Sequence, residues 1–211
     1  YCYKILRHPI PFFTIIPILQ WWFSFRIPDQ LVFPVLKYLN INKGEYTIFY
    51  SFTNKMINNL FMVLRYTLII NIWGKQLLFL MIFSEWFATV IGMIMFHVQH
   101  VYDEGYLVFD SLEWNRVAAG IYGSSFLQLP DFLKWFTMGL EYHHIHHIST
   151  KIPGYKLQKC HEEAPLNIFP EDKIVKIDFK KFIRSIQLQV YDETIGKYVT
   201  FSEIEKSEKI D

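Results

Sequence analysis

Cysteine is almost missing from this 211-residue chain: Cys2 and Cys160 stand far apart, so neither a disulfide framework nor a CxxC redox pair is available. The polar parts are therefore expected to face a reducing compartment. Charge of one sign is missing too. Lysine and arginine number 21 against 20 acids, a net of +1, and no basic block exists to track a phosphate backbone, which excludes nucleic acid as a partner. No GxGxxG, CxxCH or cysteine set occurs, so no flavin, haem or iron–sulfur cluster is signalled. An initiator Met and a signal-peptide pattern are both lacking, and the first residues read as the middle of a domain, so an incomplete chain is expected.

What is abundant is apolar. At 52% hydrophobic, 18% aromatic and only 19% charged, the chain falls in the membrane class. Residues 9–25 are apolar but carry Pro9, Pro11 and Pro17 and end at Trp21-Trp22, which suits a kinked, re-entrant or interfacial segment. Residues 26–54 read as a short helix and a loop. Two spans follow, at about 57–73 and 77–98. The second rises about 33 Å, enough for a hydrocarbon core of about 30 Å. Arg65 in the first span costs ~3 kcal/mol at mid-bilayer and must snorkel or pair. Glu85 is the partner expected across the tight Gly74-Lys75-Gln76 connection. Such a hairpin returns the chain to the side it left, and the positive residues place that side, with the C-terminus, in the cytoplasm.

Beyond the spans, a polar loop over 102–115 and a turn at 120–125 precede one helix over 130–148. Its start is marked by Pro130 and Asp131. Residues 179–186 have helical spacing, residues 188–201 read as a hairpin turning at Gly196, and the charged residues 202–211 are expected to fray. The fold class is thus mainly α: membrane helices forming a two-helix hairpin plus an interfacial or re-entrant segment, a cytosolic helical cap, and a small C-terminal β-hairpin. A partial membrane domain (1–161) and a cytosolic tail (162–211) packed on the catalytic face make up the chain.

Four of the eight histidines fall within His143-His144-Ile145-His146-His147. On a helix they occupy one arc of about 160°, with His143 and His147 a turn apart. Neutral imidazoles at i, i+3 and i, i+4 can converge on one or two metal ions.

The HxxHH spelled by His143, His146 and His147, with the stretches RHPIPFF (7–13), HVQHVYDEGY (97–106) and GSSFLQLPDFLKWFTMGLEYHHIHHISTKIPGYKLQKC (123–160), resembles the membrane-bound fatty acid desaturases. The likeness is strongest to the acyl-lipid group of bacteria and plastids. It implies a non-haem diiron oxidase that uses O2 and two electrons to introduce a C=C bond into a fatty acyl chain in a lipid membrane. Its electrons come from an external donor of ferredoxin or cytochrome b5 type. It makes His143, His146 and His147 the third histidine box and His100 a further ligand. His97 is a second candidate for that place. His144 is assigned a supporting role, Gln99 could orient an imidazole or a water, and Glu141 and Asp103 are near enough in sequence to accept imidazole N–H bonds. Ligation by Cys160-His161 is the weakest of these signals.

The first and second boxes of the family are not in this sequence, where His8 is the sole histidine before His97. The resemblance places them upstream of Tyr1, so the chain is read as a C-terminal portion whose two-iron site is incomplete and inactive alone. A degenerate relative, or a separate polypeptide that supplies the boxes, would give the same pattern. Two rival functions stand beside desaturation: fatty acyl hydroxylation on the same scaffold, and a non-catalytic membrane protein with a residual metal site.

Overall fold

The computed structural model describes residues 2–20, 26–38, 52–109, 114–163 and 173–207. Two units divide the chain, one formed by Tyr1–Pro9 with Ile94–Asp211 and the other by Ile10–Met93.

The chain begins with α1 (Cys2–Leu6), followed by the short helices α2 (Pro9–Thr14) and α3 (Ile16–Leu19). Ile15, between α2 and α3, keeps helical dihedrals (φ −92°, ψ −45°), and Pro17 falls in the first turn of α3, where a missing N–H is tolerated. Trp21 and Trp22 lie outside the described residues. Helix α4 (Asp29–Tyr38) opens on an acid that suits its N-terminus, and Asp29 binds the buried Lys55 at 2.6 Å.

Helix α5 (Phe52–His100) is, among the described residues, the one helix long and apolar enough to cross a membrane. It is longer at both ends than the two expected spans. Its helical geometry fails at Gly74 (φ 86°, ψ 177°), a left-handed position where a side chain would be strained. Arg65 forms an ion pair with Glu85, whose other oxygen accepts the Tyr66 hydroxyl at 2.6 Å. On a straight helix those positions would be about 30 Å apart. Contact between them means that the two halves fold back on each other about Gly74. Reversing one charge, Arg65→Glu, leaves two acids facing in an apolar setting and should cost about 3 kcal/mol. Thermal melting in detergent should show that loss recovered in Arg65→Glu/Glu85→Arg.

The unit containing Ile94–Asp211 is built differently. Helix α6 (Arg116–Tyr122) starts where the Asn115 side chain accepts the N–H groups of Val117 and Ala118 at 2.9 and 3.0 Å, so Gly120–Tyr122 of the turn expected at 120–125 belong to a capped helix instead. Strand β1 (Ser125–Leu127) follows at once. It pairs in parallel with β2 (Val175–Ile177), a ladder that local patterning did not predict because its strands are only three residues long and lie far apart in sequence.

The single helix expected over 130–148 is not formed. It is two helices, α7 (Asp131–Thr137) and α8 (His143–Ile148), separated by Met138 and Gly139 at positive φ. A Cβ on Gly139 would sit 2.2 Å from the Gly154 carbonyl oxygen, so the break is fixed by two backbones touching. A 3-10 turn at Gly154–Lys156 leads into α9 (Leu157–Glu163).

Helix α10 (Phe179–Gln187), capped by Asp178, and the antiparallel hairpin β3 (Val190–Asp192) and β4 (Lys197–Val199), with Gly196 in its turn, occur where expected. The expected fraying of 202–207 does not occur. These residues belong to α11 (Phe201–Ser207), held by Glu203 to Arg184 at 2.8 Å and by Glu205 to Lys4. Residues 208–211 lie outside the described residues. Two apolar clusters hold the unit together. Tyr142, Ile145, Leu157 and Ile174 pack beneath α8, while Val98, Tyr102, Leu127 and Ile177 pack the end of α5 onto both strands of the parallel pair.

Candidate metal centre

His100 ends α5, and the chain returns after a loop to pass its ring at Gly123. There the His100 Nδ1–H donates to the Gly123 carbonyl at 2.8 Å. A carbonyl can only accept, so the proton is on Nδ1 and the Nε2 lone pair is bare. That lone pair points at α8. His143 Nε2 lies 2.9 Å and His147 Nε2 3.2 Å from His100 Nε2, and the last two are 3.0 Å from each other. The one-turn spacing of His143 and His147 brings their rings together, and the end of α5 supplies the third.

This donor set fits a divalent metal ion. Two nitrogens bound cis at about 2.1 Å lie about 3.0 Å apart in an octahedron and about 3.4 Å apart in a tetrahedron, so the triangle matches one face of an octahedral site. The orientation of His100 by a backbone carbonyl is the usual way a ligating imidazole is held. Electrostatics favour the same form of the ring. Burial, then the neighbouring imidazoles, push His143 down to about 3, and burial and His100 push His147 down to about 4. Both are neutral at pH 7, the form that binds metal. His143 Nδ1 is buried and has no hydrogen-bond partner among the described residues, so no protein acceptor competes for that ring's orientation.

The strands set the height of the box. Tyr142 bridges Phe126 of β1, and the Leu127 N–H donates to the Glu141 carbonyl at 3.0 Å, which pins the residues just before α8. Gln99, almost wholly buried, donates from Nε2 to the Leu140 carbonyl at 2.6 Å and so ties the end of α5 to the same segment. Gln99→Leu strands that carbonyl. Fe(II) affinity should fall about tenfold, with a loss of 1–2 kcal/mol of stability, roughly the cost of one lost second-layer hydrogen bond.

Of the four ligands the resemblance implies, the structure brings His100, His143 and His147 together and leaves His146 outside the triangle. The His146 ring stacks beside His143, 5.5 Å between centroids. His97 is buried elsewhere, its Nε2–H donating to the Ser185 carbonyl at 2.9 Å. His144, on the inner side of α8, meets His161 Nδ1 through Nε2 at 3.2 Å, and the His161 ring stacks on Phe126. Neither expected acid binds an imidazole in the structure. Glu141 accepts the Thr137 hydroxyl, and Asp103 is paired with Arg184 at 2.9 Å. The Gly123 carbonyl has no sequence signal, because a backbone acceptor carries no residue type, and His161, weakly signalled as part of Cys160-His161, meets His144 through a pairing formed only by folding.

The sequence profile of the fatty acid desaturases matches residues 8–175. A fatty acid desaturase of Bacillus subtilis (strain 168) is 37% identical over 114 residues, which cover 54% of this chain and 31% of that protein. The chain thus spans about a third of the length of the curated relative it matches. No solved structure matches it. With the profile covering most of the chain, including the three converging histidines, the chain belongs to the fatty acid desaturase family.

Proposed function

We propose that this chain supplies part of the iron centre of a membrane fatty acyl desaturase, with His100, His143 and His147 as ligands and His146 as a fourth. The observation that carries this reading is the convergence of three Nε2 atoms within 3.2 Å, one of them held as a bare lone pair by Gly123. Two irons need more imidazoles than these, so the remaining ligands come from histidines outside this sequence and the chain alone is inactive. When bound, iron with O2 supplies an oxidant strong enough to take hydrogen from an unactivated methylene, which no side chain can do. The overall change is a –CH2–CH2– unit with O2, two electrons and two protons giving –CH=CH– and two waters. An external donor of ferredoxin or cytochrome b5 type delivers the electrons.

The contribution of this chain's residues is positional. Burial keeps the imidazoles neutral, the Gly123 carbonyl fixes one tautomer, and Gln99 with the β1 contacts holds the box at the end of a long apolar helix. On this reading α5 crosses the membrane, and an acyl chain reaches the ligands at its His100 end. The protein is read as multi-pass, with its histidine side and C-terminus in the cytoplasm.

The test is product analysis. The complete gene product containing this chain, expressed in a host with a simple lipid profile, should add an unsaturated acyl species seen by gas chromatography, and His143→Ala should remove it. A hydroxylated product, or an unsaturated one that survives His143→Ala, would overturn the reading.

A further inference from the structure

The metal triangle takes two of the four histidines of α8, and His144 is not one of them. His144 is completely buried, and its Nε2 stands 3.2 Å from Nδ1 of His161 on α9, with the two rings nearly perpendicular at 81°. That is hydrogen-bond distance, so one of the two nitrogens carries the proton and the other accepts it. His161 is itself seated among aromatic rings. It stacks on Phe126 at 5.3 Å between centroids and lies 5.2 Å from Tyr142. Phe126 and Tyr142 stack on each other at 4.8 Å, and their backbones form the bridge between β1 and the start of α8.

Helix α8 is only six residues long and has no side-chain cap at its start, so its orientation is set by its neighbours. Tyr142 and Ile145 pack with Leu157 of α9 and with Ile174, and such apolar contacts are non-directional, so they resist rotation about the helix axis weakly. A hydrogen bond is directional, and the one between His144 and His161 joins α8 to the second turn of α9. The lever is long: an imidazole nitrogen about 6 Å from the axis moves about 1 Å when the helix turns by about 10°. A metal site tolerates only about 0.5 Å. The His143 and His147 nitrogens, 2.9 and 3.2 Å from that of His100, therefore depend on how α8 is rotated.

We propose that His161 is a positioning residue of the metal centre: bonded to His144, it fixes the rotation of α8 and with it the distances of His143 and His147 from His100. The inference rests on the reading of that triangle as a metal site. It gives His161 no contact with the metal.

Co(II) is titrated into the full chain in detergent, for the native sequence and for His161→Phe, His161→Asn and His161→Gln. Phenylalanine keeps the stack on Phe126 and removes the nitrogen. Asparagine places its amide where Nδ1 stood and can donate or accept, whereas the glutamine amide lies where Nε2 stood. His161→Phe and His161→Gln should lower Co(II) affinity about tenfold, and His161→Asn should stay within about threefold of the native chain. At saturating Co(II) the visible absorption bands of His161→Phe should differ from the native ones in position and intensity, because the ligands are displaced. A role in stability alone would leave the saturated spectrum unchanged. In a His144→Leu background, His161→Phe should add less than about twofold, since its effect runs through His144. If His161→Phe fails to fold, His161→Gln carries the same comparison. Native affinity and native bands in either variant would overturn the inference and leave the metal reading intact. So would a loss in His161→Asn as large as that in His161→Phe, the result expected if His161 binds the metal itself. A native chain that binds no Co(II) removes the metal reading, and this inference with it.

Discussion

His147→Ala should lower the affinity of the chain for Fe(II), or for Co(II) as a spectroscopic substitute, by at least about 100-fold. Loss of a partner in the second layer already costs 10–100-fold, and this change deletes a ligand. The same loss is expected for His100→Ala and His143→Ala, because each removes one corner of a triangle whose sides are 2.9, 3.0 and 3.2 Å. His97→Ala is the informative control. Its ring is three residues from His100 in sequence but is committed to the Ser185 carbonyl, so metal affinity should stay within about threefold even if stability falls with the loss of a buried hydrogen bond. Titration followed by calorimetry or by the Co(II) absorption bands separates the two effects. Equal losses from His97 and His147 would mean that the box does not work as the triangle implies.

The second large effect is expected at a residue that binds nothing. Gly139→Val forces a β-branched side chain into φ 89° and drives its Cβ toward a carbonyl oxygen 2.2 Å away on Gly154. Neither the backbone strain nor the clash can be relieved without moving the α7–α8 connection, and a cost of about 3–4 kcal/mol follows. For a unit of this size that is a fall in melting temperature of about 10 °C. Because the displaced connection leads straight into His143, metal affinity should fall with it. Gly92→Ala, by contrast, meets nothing within 4 Å and sits in regular helix, so it should leave both quantities unchanged or slightly raise stability. A melting curve for Gly139→Val like that of the parent would show that the Gly139–Gly154 contact does not hold the box in place.

That contact also shows where the sequence stops being legible. The apolar periodicity from Asp131 to Ile148 supports one helix, and the helix is broken because Gly139 must clear Gly154, a neighbour brought close only by the tertiary fold. The β1–β2 ladder escaped for a related reason, its two three-residue strands being joined by a register no local pattern encodes. Features with a local cause were readable. The Arg65–Glu85 pair follows from two charges placed on either side of the Gly74-Lys75-Gln76 connection, equidistant from Lys75, and the β3–β4 hairpin follows from alternation around Gly196.

The site divides along the same line. His143 and His147 are legible as a pair because one helical turn separates them. His100 was reached by resemblance, and its role as the third corner depends on a Gly123 carbonyl that no residue type announces. Asp103 and Glu141 were selected by nearness in sequence. In the fold, Arg184 from α10 reaches Asp103 and Thr137 from α7 reaches Glu141, so sequence distance was a poor guide to second-layer partners.

The role of the chain depends on whether these three imidazoles hold iron. X-ray absorption at the iron edge, recorded on the complete protein purified with its metal, measures this directly through the outer-shell scattering that imidazole rings produce. The prediction is a nitrogen shell with strong imidazole scattering that weakens when His100, His143 and His147 are replaced together by alanine. An unchanged spectrum in that triple variant, with iron content retained, would contradict it.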